Sequence, residues 1–349
     1  MKGLAFLGDR RLATIDVADP VPSHGEVIVQ VKASGMCGSD LHPYRAPFDP
    51  AIAPERRVIG GHEPAGIVAA VGPGVPAHVA RPGDRVMVHH YHGCATCRHC
   101  RTGWPQLCKP ATRVVYSGNA HGAHAPYLKV RADTLVPLHD ALSFEAGAAI
   151  ACGTGTAWGA LERLQLRGDE TLAVFGQGPV GLSATMLAVA QGARVIAIDI
   201  DAERLALARS FGAHAVVNPR EGDVVAALRD LTQGEGVEAV VETSGSSQAA
   251  AATVGAVAVW GRIALVGIGA SLTLELKALL DRQVTVMTSY TMSTVGQADC
   301  ARFVVERGLA VDRLFTHRWR LDQAEEAYRL FDTQSTGKGA LCSEADAPV

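Results

Sequence analysis

Neither sign of charge is in excess. The 32 Lys and Arg against 35 Asp and Glu give a formal net charge of −3. There is thus no basic field to gather a polyanion, and a nucleic-acid partner is not expected. No stretch reaches the roughly 18 uninterrupted apolar residues of a membrane helix. The opening MKGLAFLGDRRLATIDV lacks an apolar core of signal-peptide length and meets charge again at Asp9. No membrane partner and a cytoplasmic location are therefore expected. No long repeat or low-complexity segment interrupts the chain. Cysteine is sparse for a disulfide framework, since six of the eight fall into two metal-binding patterns and only Cys300 and Cys342 are left over. Those two read as small buried hydrophobes.

What is present is a long, apolar chain. At 349 residues, with 48% hydrophobic and 19% charged residues, it can bury a large core and favours two domains over one. The pattern changes near residue 150. Before it, short runs such as EVIVQVKASG, GIVAAVG and DRVMVHH end in Gly or Pro turns, which predicts a β-rich, barrel-like domain over 1–150 with a cysteine lobe at about 89–110. After it, apolar strands and helices alternate: ETLAVFG, a helix over 179–191, ARVIAID, and further units to VTVMTSY near 290. That alternation predicts an α/β domain over 151–290, with a parallel sheet covered on both faces. The segment 291–349 holds two helical patterns, ADCARFVVERG and LDQAEEAYRLFDT, too little for a core of its own. It is expected to return to the first domain.

Two clusters of metal-ligating residues stand out. Cys94, Cys97, Cys100 and Cys108 lie within fifteen residues, close enough for four thiolates to fill a tetrahedral zinc site, and a filled site is structural. A thiol-exchange role for the C-x-x-C spacing would call for a thioredoxin-like βαβ setting, whereas here the cysteines sit in a loop. Cys37, His62 and Cys152 are dispersed and form a site only if the fold gathers them. Three ligands leave a fourth position for water or substrate, the mark of catalytic zinc. Two zinc ions per chain are expected.

Downstream, the turn GQGPVG places Gly176, Gly178, Pro179, Val180 and Gly181 between a strand and a helix. Such a turn brings backbone N–H groups and a helix N-terminus to a pyrophosphate. Asp199 ends the next strand eighteen residues after Gly181, where an acid hydrogen-bonds the adenosine ribose. The same carboxylate repels a 2′-phosphate, so NAD is expected over NADP. Arg204, one turn into the following helix, is a candidate for the adenosine end.

The motifs CGSDLH (37–42), GGHEPAG (60–66), CATCRHC with Cys108, ACGTGTAW (151–158) and GQGPVG (176–181) together give a chain that resembles the zinc-dependent alcohol dehydrogenases of the medium-chain dehydrogenase/reductase superfamily over nearly its whole length. The resemblance implies a GroES-like catalytic domain, a Rossmann domain with a doubly wound parallel sheet, and an active-site zinc in the cleft between them. It further implies homodimers or homotetramers, and hydride transfer between NAD and an alcohol or its carbonyl counterpart. Carried onto this chain, it makes Glu63 a transient zinc ligand and Asp40 the hydrogen-bond partner of His62. Ser39 and His42 become a proton relay. Thr156, Val266 and Ile268 become nicotinamide contacts.

His90 matches a wall of the substrate pocket that is usually aromatic or apolar, and a polar wall suggests a polar substrate. The Cys152 ligand favours simple alcohols, whereas His90 mildly favours the alternative of a polyol or amino-alcohol dehydrogenase. A non-catalytic, nucleotide-sensing relative would have no use for the relay. Gly38 stands where some members carry a phosphate-binding cation, and Pro126 replaces a common glutamate. His89, His92, His99, His121 and His124 read as solvated loop histidines.

Overall fold

Val27, Val29 and Val31 recur at the two-residue period of a strand and bury together on one face of Glu26–Gly35. The computed structural model describes residues 1–335 and 337–343; the segment expected over 291–349 falls outside them at 336 and 344–349. The chain divides into two compact units, Met1–Cys152 with Ser293–Val349, and Gly153–Met292.

In the first unit a seven-stranded sheet runs in the order Phe315–Arg320, Lys338–Cys342, Glu26–Gly35, Glu63–Val71, Arg85–Val88, Leu135–Pro137, with Tyr127–Arg131 also pairing to Glu26–Gly35. Every pairing is antiparallel except that of Phe315–Arg320 with Lys338–Cys342. A valine-rich core lies on this sheet. A second core joins residues early and late in the chain: Phe6, Leu41 and Tyr44 pack with Trp319, Tyr328 and Phe331. The helix Ala324–Asp332 reaches that core because Ala324, Ala327, Tyr328 and Phe331 recur at helical spacing and bury together. Cys300 and Cys342 are both buried.

The second unit is a six-stranded parallel sheet in the order Ala215–Val217, Arg194–Ile198, Thr171–Phe175, Val237–Glu242, Val257–Leu265, Thr285–Thr288. In sequence this is 3-2-1-4-5-6, the doubly wound Rossmann order. Its strands read as apolar runs because helices cover both faces. Among the described residues, no helix is long and apolar enough to cross a membrane.

Candidate functional site

Cys37 is extended and opens the single 3-10 turn Gly38–Asp40. Asp40 Oδ2 accepts the Cys37 N–H at 2.9 Å and closes that turn, while Oδ1 lies 3.0 Å from His62 Nδ1. An ionised carboxylate only accepts, so Nδ1 carries a proton, and Nε2 is the nitrogen left to offer a lone pair once the ring is neutral. That nitrogen faces Cys152 Sγ at 3.5 Å and Ser39 Oγ at 3.3 Å. Cys37 Sγ and Cys152 Sγ are 3.9 Å apart. Cys152 follows the helix Phe144–Ile150, whose N-terminus is capped by Ser143 Oγ accepting the Ala146 N–H. Ligand atoms of Cys37, His62, Glu63 and Cys152 all lie within 4.8 Å of one another.

The donor set fits zinc. Tetrahedral Zn with bonds of about 2.3 Å to sulfur and about 2.0–2.1 Å to nitrogen has edges of roughly 3.8 Å between sulfurs and 3.6 Å from sulfur to nitrogen. The two edges seen here fall on those values. The charges point the same way. A hydrogen bond from Cys152, against the cost of burial, holds the Cys37 thiol well below its ordinary value. Burial opposes protonation of His62, yet the Asp40 carboxylate outweighs it and raises the imidazole well above its usual range. The shared sulfur proton and the favoured His62 proton both mark a spot of negative potential, which a metal cation would take in place of those protons.

Glu63 is fully buried, and its Oε2 forms an ion pair with Lys338, itself 1% exposed. Burial pushes the Glu63 carboxyl up to about 8 against the pull of Lys338. Burial works against the Lys338 charge, but Glu63 and Cys37 keep it above its ordinary value. Lys338 Nζ also donates to Met36 O at 3.3 Å. Glu63 Oε1 has no hydrogen-bond partner among the described residues, so a buried acceptor stands beside the three ligands. Gly35 makes room for this pair, since a Cβ there would lie 2.0 Å from Glu63 Oε2.

His90 is buried with its ring 5.1 Å from that of His62, and its Nδ1 is 3.3 Å from Ala151 O. Burial, with His62 nearby, holds His90 well below the usual histidine value, so it is uncharged. His42 is exposed on the short helix Leu41–Arg45. Gly38 is exposed with open space around it, and Pro126 is exposed with its carbonyl accepting the Val31 N–H.

The second cluster is also assembled, with Cys94, Cys97, Cys100 and Cys108 ligand atoms within 4.8 Å of one another. Cys97 and Cys100 sulfurs are 3.5 Å apart, and Cys94 Sγ accepts from Thr96 Oγ1 and from the Cys97 N–H, both at 3.3 Å. The Thr96 hydroxyl, followed by the backbone N–H groups, brings the Cys94 thiol down to about 5. A Cβ at Gly93 would sit 2.4 Å from Cys100 Sγ, so only glycine leaves the cluster closed. Cys100→Ser should lower zinc content by one equivalent per chain and the Tm by roughly 5 °C, with kcat changed less than about threefold. Metal analysis beside a thermal melt checks this, and retention of both ions in the variant speaks against the lobe as a metal site.

In the second unit Gly176 has φ +85°, and a Cβ would stand 2.9 Å from Ser244 N; at Gly181 it would stand 1.8 Å from Gly176 O. Gly178 caps the helix Pro179–Gln191, which continues through Val180, and a Cβ on it would meet nothing within 4 Å. Asp199 Oδ2 accepts the Gln177 N–H at 2.5 Å, tying the acid to the turn, and Oδ1 accepts the Asp201 N–H at 2.9 Å. Arg204 is half-buried on the helix Ala202–Ser210, its N–H capped by Asp201. Thr156 is half-buried on the helix Gly153–Leu164, Val266 donates to Glu242 O, and Ile268 is exposed.

Two expectations need correction. His89 and His124 are not solvated, for both are fully buried. The His124 ring packs against Gly61, which has φ +85° and no Cβ to keep it away. His99 and His121 are exposed, and His92 is half-buried against Asp133 at 3.1 Å. Lys338 and Tyr328 were not reached from the sequence. A lone lysine in the apolar run KGALC was the only signal for the first, and the helical spacing of LDQAEEAYRLFDT marked the second only as core.

The alcohol dehydrogenase GroES-like domain family matches residues 23–140, and the zinc-binding dehydrogenase family matches 179–307. Over 332 residues the chain is 36% identical to an uncharacterized zinc-type alcohol dehydrogenase-like protein, YphC, of Escherichia coli (strain K12), covering 93% of each. It is 32% identical over 313 residues to a sorbitol dehydrogenase of Bacillus subtilis (strain 168), covering 88% of this chain and 87% of that one. It also superposes on the alcohol dehydrogenase TADH from Thermus sp. ATN1 with a TM-score of 0.89 at 32% identity, over 99% of this chain and 100% of that one. With its metal-ligating clusters assembled and its sheet in Rossmann order, the chain belongs to the zinc-type alcohol dehydrogenases of the medium-chain dehydrogenase/reductase superfamily.

Proposed function

We propose that the protein is a zinc- and NAD-dependent dehydrogenase that interconverts an alcohol and its aldehyde or ketone. The observation carrying this reading is the convergence of Cys37, His62, Glu63 and Cys152 within 4.8 Å. Cys37, His62 and Cys152 would hold the catalytic ion, and Glu63, anchored by Lys338, would serve as the reserve ligand. When bound, zinc supplies a Lewis acid that makes a hydroxyl group easier to deprotonate, as it does water, whose pKa it lowers to about 7. Ser39, beside His62 Nε2, would take the substrate proton as it passes its own hydroxyl proton onward toward His42. His42, exposed, exchanges it with water, a task suited to an imidazole near neutral pH. In the second unit the Gly176–Gly181 turn takes the cofactor pyrophosphate and Asp199 the ribose, with Arg204 at the adenosine end and Thr156, Val266 and Ile268 at the nicotinamide. A homodimer or homotetramer is supported by the exposed Val259, Trp260, Leu276 and Leu280 in the unit whose sheet ends at the strand Thr285–Thr288.

Metal analysis together with NADH absorbance over a panel of simple alcohols, polyols and amino alcohols tests the proposal. Two zinc equivalents per chain and NADH formation with at least one alcohol are expected, with NADP a poor substitute. A protein that carries both ions and turns over none of the panel would contradict it. A polyol or amino alcohol as substrate is the second reading, favoured by the buried, uncharged His90 beside His62 and by the likeness to a sorbitol dehydrogenase. On that reading His90→Phe shifts relative kcat/KM toward simple apolar alcohols by about tenfold, the size of one lost polar contact. Unchanged ratios in the variant remove His90 from the pocket.

A further inference from the structure

Behind the metal ligands runs a buried chain of polar groups that the dehydrogenase reading does not use. Ser34 Oγ lies 2.9 Å from His124 Nδ1, His124 Nε2 lies 2.6 Å from the Tyr328 hydroxyl, and that hydroxyl lies 3.3 Å from Asp40 Oδ2. Asp40 Oδ1 then meets His62 Nδ1. Ser34, His124 and Tyr328 are each no more than 1% exposed, and Asp40 is 2% exposed. We infer that Tyr328 and His124 are positioning residues for the catalytic metal centre, holding Asp40 so that His62 keeps one tautomer and one ring orientation.

The chemistry leaves one direction for every proton. A carboxylate has no proton to give, so the hydrogen between Tyr328 and Asp40 belongs to Tyr328. The tyrosine oxygen then has only lone pairs to offer His124, whose Nε2 must carry a hydrogen. Burial holds His124 at about 4, so the ring is neutral and its Nδ1 is an acceptor for the Ser34 hydroxyl. At the far end Asp40 receives the Nδ1 proton of His62, and the lone pair on Nε2 is turned toward the two sulfurs. Asp40 Oδ2 also takes the Cys37 N–H, so the same carboxylate orients two of the three ligands. Partners of this kind set ligand orientation and basicity, and losing the immediate partner costs about 10- to 100-fold in metal affinity.

The surroundings are built for the chain. A Cβ on Gly61 would stand 2.4 Å from His124 Nδ1 and 2.7 Å from Ser34 Oγ, so the glycine before His62 is what admits the network. The His124 backbone is pinned by its N–H to Gly60 O at 2.9 Å and its carbonyl to Leu4 N at 2.9 Å. The Tyr328 ring is held by packing as well, edge-on to Phe6 at 5.1 Å and tilted on Tyr44 at 5.5 Å. Removing its hydroxyl should therefore leave the ring in place and Asp40 without that donor.

This inference rests on the zinc reading, and the test separates the two. Zinc release to a chromogenic chelator is followed for the wild type, Tyr328→Phe and Tyr44→Phe, and the visible spectrum is recorded after exchange with Co²⁺. Tyr44→Phe removes a hydroxyl from the same aromatic cluster but not from the chain, so it controls for general loosening. In Tyr328→Phe the ion at Cys37, His62 and Cys152 should leave about threefold to tenfold faster, below the range for an immediate partner. Its cobalt bands should shift, while the Tyr44→Phe protein behaves as wild type. Equal release rates and superimposable cobalt spectra in Tyr328→Phe and wild type overturn the inference. A wild-type protein with zinc only at the four-cysteine cluster overturns the zinc reading, and the inference with it.

Discussion

Cys152→Ser protein is expected to carry one zinc equivalent per chain in place of two and to lose at least about a thousandfold in kcat/KM, some 4 kcal/mol of transition-state stabilisation. Three features make the effect large. Cys152 Sγ sits 3.9 Å from Cys37 Sγ and 3.5 Å from His62 Nε2, at distances a shared tetrahedral ion requires, and a serine hydroxyl stays protonated where a thiol gives a thiolate. Its hydrogen bond is also the largest influence lowering the Cys37 thiol, so the substitution weakens a second ligand. Among the described residues Glu63 is the further carboxylate, cysteine or histidine grouped with these ligands, and Lys338 holds one of its oxygens. The backbone should be unaffected, because the residue lies between two helices and serine is nearly isosteric. Metal analysis and steady-state kinetics on the same preparation check both halves. A variant with two zinc ions and activity within tenfold of wild type would remove Cys152 from the ligand set.

Much of this architecture was legible in the sequence where a local rule fixes the answer. The helix Pro179–Gln191 has proline at its first position and Gly192 in the left-handed region at its end, so both boundaries were written in residue type. The Rossmann class followed from apolar strands alternating with helices, and the glycine turn from positions where a Cβ would collide with backbone. What stayed hidden depends on contacts between distant segments. His124 reads as a loop residue because loop burial follows from which elements fold over it, and Leu4, Gly60 and Tyr328 come from three different parts of the chain. The Glu63–Lys338 pair was hidden for the same reason. A charged residue in a strand is ordinarily read as facing water, and nothing local says that its partner waits on another strand of the same sheet. The resemblance named the ligands, the relay and Asp40 behind His62; it did not extend to His124, Tyr328 or Lys338.

The burial of His124 should also be visible as acid lability. Its pKa is brought down to about 4 in the folded protein from an ordinary 6.5, chiefly by burial and against the nearby Asp40 charge, and its ring's hydrogen-bond partners among the described residues are a serine and a tyrosine. Above pH 6.5 the histidine is neutral whether the chain is folded or not, and it leaves stability unchanged. Below that, the unfolded chain takes up a proton the folded one refuses, so stability falls with pH and the loss is complete near pH 4, where it reaches about 3 kcal/mol. In His124→Gln the amide can still donate to Tyr328 but cannot titrate. Urea unfolding of the two proteins at pH 7, 5 and 4, each stripped of metal with a chelator, isolates the effect, because every carboxylate and every other histidine is common to both. The wild type should lose about 3 kcal/mol more than the variant over that span. Parallel pH profiles would mean that the folded state admits the proton, which would require a polar or hydrated route to a ring otherwise packed against Phe6 and Tyr328.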